Sequence, residues 1–136
     1  MIVDAGQTER GLESTIVAAT GGSLRLLRPG PIVVEAEPAS RDRIEAPGQL
    51  ASHYAPSKPL RLNATYAAPE EYLIGFGDVA GDESLSTSGN VVEAAAQLFD
   101  LLHRADASQK ARIAVAPVHD EGLGAAINDR LRRAAA

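Results

Sequence analysis

The sequence predicts an α/β protein built on an open, mainly parallel sheet with flanking helices, and three observations carry that expectation. Beyond Pro59, short runs of β-prone residues alternate with helical ones. Residues 112–118 (RIAVAPV) form a near-continuous apolar run, which suits a strand covered on both faces. Between them, Val91, Ala94, Ala95, Leu98, Leu101 and Leu102 recur at helical spacing as one apolar stripe. Strands that alternate with helices imply βαβ crossovers, and hence parallel pairing.

Taken in order, residues 14–18, with the β-branched Thr15-Ile16-Val17, and residues 24–27 read as strands joined at Thr20-Gly21-Gly22, a β-hairpin. A two-stranded hairpin buries too little to be stable alone, so it should lean on something larger. Residues 28–59 hold most of the prolines. Proline locks φ and lacks a donor, so long regular elements are not expected there apart from one strand at 32–35. Strands follow at 60–63, 72–76 and 84–87. A helix then opens at Asn90, with Glu93 three residues on as in a capping box, and carries Glu93, Gln97, Asp100 and Arg104 on its polar face. The last helix begins near Gly122, buries Leu123, Ala126, Ile127 and Leu131, and ends in Arg130, Arg132 and Arg133, whose charge suits a helix C-terminus.

Composition narrows the function classes. The 136 residues allow about one domain. Without cysteine, disulfides, thiol catalysis and cysteine-ligated zinc are excluded, and a cytoplasmic location is expected. Without tryptophan, and with few other aromatics, the core must be aliphatic. No apolar run is long enough to span a membrane, and no leader pattern opens the chain. Residues 1–61 hold seven basic and seven acidic side chains. The remaining six of 13 basic and eleven of 18 acidic residues therefore carry the whole net charge of −5. An acidic second half is a poor nucleic-acid platform, so direct binding of nucleic acid of any kind, tRNA included, is not expected.

Four stretches together resemble a known family: Gly11-Leu12-Glu13-Ser14-Thr15-Ile16-Val17; Leu26-Leu27-Arg28-Pro29-Gly30; Pro47-Gly48-Gln49-Leu50-Ala51-Ser52-His53-Tyr54-Ala55-Pro56; and Glu121-Gly122-Leu123-Gly124-Ala125-Ala126-Ile127-Asn128-Asp129-Arg130-Leu131. In this order and spacing they are similar to the two-domain threonylcarbamoyl-AMP synthases. That resemblance implies a YrdC-type catalytic core, of which residues 1–31 would be the closing strands, a linker over 32–59, and a Rossmann-like C-terminal domain over 60–136. It implies a reaction of L-threonine, bicarbonate and ATP, with Mg2+ in the intact enzyme, that yields threonylcarbamoyl-AMP and pyrophosphate for tRNA modification. By the same resemblance, Ser14 and Thr15 face threonine, Arg28 contacts the nucleotide, and His53 and Tyr54 fold over the site, Tyr54 near the phosphates. No catalytic residue and no metal ligand is assigned. The family's Lys-Arg-containing cradle and most of its core sheet would lie upstream of Met1. The chain is therefore expected to be the C-terminal portion, inactive alone, with linker and terminal domain gating the site. The alternative is a free-standing, non-catalytic nucleotide- or partner-binding module, and unpaired strands would also allow a homodimer.

Each candidate has a plainer structural reading. Thr15 could simply pair in a strand, Arg28 could be a solvated loop residue, and Tyr54 could anchor the linker by its ring. The run Gly75-Phe76-Gly77-Asp78-Val79-Ala80-Gly81 follows a strand, but no helix opens at its third glycine, which argues against a dinucleotide site. His53, His103 and His119 are too far apart for a local metal signature. Asp120-Glu121 should cap the last helix, with Gly122 and Gly124 permitting close approach.

Overall fold

A computed structural model describes residues 10–39, 45–47 and 55–136. Strand β1 (Ile16–Thr20) and strand β2 (Ser23–Arg28) pair antiparallel, and β3 (Glu37–Pro38) adds in parallel on the far side of β2. The turn between β1 and β2 is Gly21-Gly22, with φ of 63° and 83°; two positive φ values in succession match the twist of a two-residue hairpin and favour glycine at both sites. The anticipated strand at 32–35 does not form. The Ile32 N–H instead donates to the Thr15 hydroxyl at 3.1 Å, and that hydroxyl donates to the Ile32 carbonyl at 2.7 Å, which engages both backbone groups of this residue.

The second sheet has four parallel strands in the order β4 (Leu60–Arg61), β7 (Arg112–Val115), β5 (Glu71–Gly75) and β6 (Glu83–Ser84). Helices α1 (Val91–Ala107) and α2 (Leu123–Ala134) pack on each other, and α1 also lies on β5 and β7. The expected α/β architecture is what the chain forms. Its core is aliphatic: Ile74, Leu85, Leu98, Leu101, Ile113, Val115 and Ile127 are all buried, each contributing about 1.5–3 kcal/mol.

Local choices explain the element ends. Asn90 caps α1, its side chain accepting from the N–H groups of Val92 (2.8 Å) and Glu93 (3.3 Å). At the other end, Lys58 donates through Nζ to the carbonyls of Ala105 (3.1 Å) and Ser108 (2.7 Å), which answers the exposed carbonyls of a helix C-terminus. Asp106 then takes the N–H groups of Ser57 and Lys58, both at 3.1 Å. The chain just ahead of β4 is thus tied to α1. Glu71, buried at the start of β5, receives Arg61 through Nε (2.8 Å) and Nη2 (2.6 Å) and the Ala68 N–H (2.8 Å).

No helix opens at the third glycine of residues 75–81, as expected, whereas the cap expected for the last helix does not form. The run Gly75 to Gly81 is a tight reversal bridged between Phe76 and Val79, in which a Cβ on Gly75 would strike the backbone of Val79. Asp120 and Glu121 do not cap α2: Gly122 stands at the cap with φ of 54°, and Asp120 instead accepts from the Asn128 amide at 3.0 Å. Gly124 does permit close approach, because a Cβ there would overlap the His119 carbonyl.

Candidate functional site

The site is built where β2 ends. Arg28 closes that strand, and its guanidinium donates from Nε to the Ser14 carbonyl (3.1 Å), from Nη2 to the Ser14 hydroxyl (3.3 Å), and from Nη1 to the Pro47 carbonyl (3.2 Å). One planar fork therefore gathers three separate stretches of chain. Two residues on, buried Gly30 lies flat against the segment that bears Ser14. A Cβ at Gly30 would sit 2.6 Å from the Glu13 carbonyl oxygen and 2.7 Å from the Ser14 carbonyl carbon. Only glycine lets these backbones meet so closely. Thr15 is held by two hydrogen bonds to Ile32, its hydroxyl donating to the carbonyl and accepting from the N–H, so that hydroxyl is engaged by the protein's own backbone. Strand β1 begins at Ile16 rather than at Ser14, whose carbonyl is taken by Arg28.

A second guanidinium reaches the same place from the other sheet. Arg130, on α2 and only 4% exposed, donates from Nε to Glu13 Oε2 (2.7 Å), from Nη2 to the Pro29 carbonyl (3.0 Å), and from Nη1 to Asp129 Oδ2 (2.8 Å). Burial pushes the Glu13 carboxyl up. The hydrogen bond from Arg130, a backbone bond and the charges of Arg130 and Arg28 outweigh that, and hold it below the ordinary value of 4.5. Gly11 and Leu12 tie the segment down further. A Cβ on Gly11 would overlap the Ala95 carbonyl of α1, and Leu12 packs on the aliphatic core.

Of the residues singled out from the sequence, Ser14, Thr15 and Arg28 are together. His53 and Tyr54 lie outside the described residues. His103 and His119 are exposed, His119 meeting the Phe76 ring edge-on at 6.0 Å between centroids. Sequence reasoning does not single out Arg130 or Glu13 for the site. It assigns Arg130 to the end of α2 as a cation, and the burial of Arg130 on a helix otherwise lined by Ala126, Ile127 and Leu131 is the signal that could have marked it. Two pockets are formed elsewhere. One, of about 390 Å³, lies beside Ser23, Leu24 and Glu37, and the other, of about 240 Å³, lies among Asn63, Val118, Asn128 and Arg132; neither is lined by Ser14, Thr15 or Arg28. Among the described residues no group of three or more His, Asp or Glu side chains is gathered as a metal ion would need. Nor is any helix among them long and apolar enough to cross a membrane.

The family model described as the threonylcarbamoyl-AMP synthase C-terminal domain matches residues 9–136. The chain belongs to this family. Among curated proteins, the threonylcarbamoyl-AMP synthase of Pyrococcus abyssi is 31% identical over 164 residues and that of Bacillus subtilis 29% over 168, each alignment covering 98% of this chain and 48% of the relative. The chain thus spans about half the length of the curated relatives it matches. A crystal structure of Pyrococcus abyssi Sua5 complexed with L-threonine superposes with a TM-score of 0.79 at 28% identity, covering 97% of this chain and 48% of that one. A variant of Pyrococcus abyssi Sua5, in which a histidine and the tyrosine after it are replaced by alanine, gives 0.71 at 26% identity, covering 97% and 47%. The four stretches on which the family resemblance rests are in contact here. Glu13-Ser14, Arg28-Pro29 and Pro47 are joined by Arg28, and the α2 stretch reaches Glu13 and Pro29 through Arg130.

Proposed function

We propose that this chain serves as the C-terminal portion of a threonylcarbamoyl-AMP synthase, which converts L-threonine, bicarbonate and ATP into threonylcarbamoyl-AMP and pyrophosphate for tRNA modification. The observation that carries the reading is the convergence on Arg28 of the three stretches holding Ser14, Pro29 and Pro47. In this reading residues 1–31 complete the catalytic core, 32–59 form the linker, and 60–136 form a Rossmann-like domain that gates the site with the linker. The Ser14 hydroxyl, with Thr15 beside it, faces the amino acid. Three of the five Arg28 donors are engaged among the described residues, and the guanidinium geometry leaves the others suited to phosphate oxygens. His53 and Tyr54 are the chain's one His-Tyr pair. In this reading that pair closes over the nucleotide, with Tyr54 near the phosphates. Strand β1 has one partner among the described residues, β2, so its outer edge is open to further strands of a catalytic core or of a second copy. The reading places the enzyme in the cytoplasm.

The deciding assay is pyrophosphate release from ATP by the product of the complete open reading frame that carries residues 1–136. Release should require both L-threonine and bicarbonate. Arg28→Lys, which loses the fork, should lower kcat/KM about ten- to hundred-fold. Turnover indifferent to threonine would refute the proposal. A second reading, a free-standing, non-catalytic nucleotide- or partner-binding module, is favoured by the outer edge of β1, which is open among the described residues; tight ATP binding by the 1–136 polypeptide with no turnover from the full reading frame would select it.

A further inference from the structure

We infer that Arg130 is a positioning residue, through which α2 sets the spacing between the segment bearing Ser14 and the segment bearing Arg28. The inference rests on the reading of those two segments as substrate-facing. Its ground is geometric. Arg130 is fixed to Glu13, the residue before Ser14, and to the carbonyl of Pro29, the residue after Arg28, across 117 and 101 residues of chain. The plane of one guanidinium therefore relates two backbone points that flank the two proposed ligand contacts. Arg28 makes the complementary bridge to Ser14 itself.

A cation that served only the helix end would be exposed in the last turn, as Arg132 is. Arg130 is buried, and two of its three acceptors lie outside α2. Stability alone does not call for a charge in such a place, since a buried ion pair can often be replaced by apolar side chains without loss. The fork adds direction, and its five donors in one plane can hold a carboxylate and a carbonyl at once where a lysine ammonium holds a point. The rest of the segment is anchored independently by Gly11 against α1 and by Leu12 in the core. Removing Arg130 should therefore displace Ser14 and Gly30 without releasing the segment.

The test uses Arg130→Lys, Arg130→Met and Glu13→Gln. In the ligand-free 1–136 polypeptide, the amide resonances of Ser14, Thr15 and Gly30 should move in all three variants while those of β5, β7 and α1 stay in place. In the product of the complete reading frame, kcat/KM for threonine should fall about ten- to hundred-fold in Arg130→Met at a temperature where the variant is still folded, and Arg130→Lys, which keeps the charge, should recover the melting temperature more fully than the rate. Unmoved Ser14, Thr15 and Gly30 resonances would overturn the inference. So would a loss of rate and melting temperature together that Arg130→Lys repairs in full, because that result describes a merely structural charge. If Arg130→Met does not fold, Glu13→Gln and Arg130→Lys decide the question by the same two readouts. If the wild-type enzyme shows no threonine-dependent turnover, the proposed function fails, and the ligand-free resonances still decide whether Arg130 spaces the two segments.

Discussion

Replacing Gly30 by alanine tests the contact on which the site depends. The φ of Gly30 is not in the left-handed region, so the cost is one of space rather than of backbone strain. The added carbon would fall within 2.7 Å of the Glu13 carbonyl oxygen and the Ser14 carbonyl carbon, and would overlap the Thr15 nitrogen. All three are backbone atoms, and no side chain can swing away to make room. Overpacking of this kind costs about 1–3 kcal/mol. That strain can be relieved only by parting the Arg28-Pro29-Gly30 turn from the Glu13-Ser14-Thr15 segment, which stretches the Arg28 bonds to Ser14. The opening should be local, because the aliphatic core of the parallel sheet does not include Gly30. Native-state hydrogen exchange reads this directly: amides of β1 and β2 should exchange about five- to hundred-and-fifty-fold faster, the range that 1–3 kcal/mol implies, while β5 and β7 keep their protection. Equal acceleration in both sheets, or none in either, would refute the reasoning.

Three further outcomes follow from other contacts. The Glu71 carboxyl is held down to about 2, first by Arg61 and then by the Ala68 N–H, against an ordinary 4.5. Because the folded value is the lower one, the stability this confers is present above pH 4.5 and is lost as pH falls from there toward 2; Glu71→Gln should flatten that part of an acid-unfolding profile. Asp106→Ala removes the acceptor for two backbone N–H groups and the Ser57 hydroxyl, and should lower unfolding free energy by about 1–3 kcal/mol in urea titrations, with residues 55–58 showing the largest exchange increase. Asn90→Ala should cost about 1 kcal/mol through the loss of the α1 cap, measured the same way, and Asn90→Ser should recover most of it.

Features whose determinants are local are legible in the sequence. The stripe on α1 is legible because side chains three and four apart share a helix face whatever lies opposite; of the residues the spacing picks out only Val91 is no more than half-buried, and Ala105 joins the buried set beyond them. The cap at Asn90 and the Gly-Gly hairpin turn are legible for the same reason. At the expected strand 32–35 the Thr15 hydroxyl, 17 residues away, engages both backbone groups of Ile32, and the pairing with β2 falls instead to Glu37–Pro38. Ser14 and Arg28 are visible through the motifs around them. What they touch is not, since nothing near Arg28 in sequence names Ser14 or Pro47 as its acceptors. Arg130 is hidden by a plausible local role, and only its distant partners Glu13 and Pro29 reveal another.

The strand order β4-β7-β5-β6 also sets when the fold can exist during synthesis. β7 stands between β4 and β5 and is the only partner of β4 among the described residues, so Leu60 waits for Ile113 to leave the ribosome before it can pair. At roughly 5–20 residues per second, that interval of about fifty residues lasts a few seconds. Through it the Leu60 and Glu71 strands are exposed to the cell without their shared neighbour. Arg130 emerges later still, so the segment bearing Ser14, made more than a hundred residues earlier, is among the last to reach its final position. A nascent-chain arrest series should therefore show protease resistance appearing in one late step, once α2 has cleared the exit tunnel.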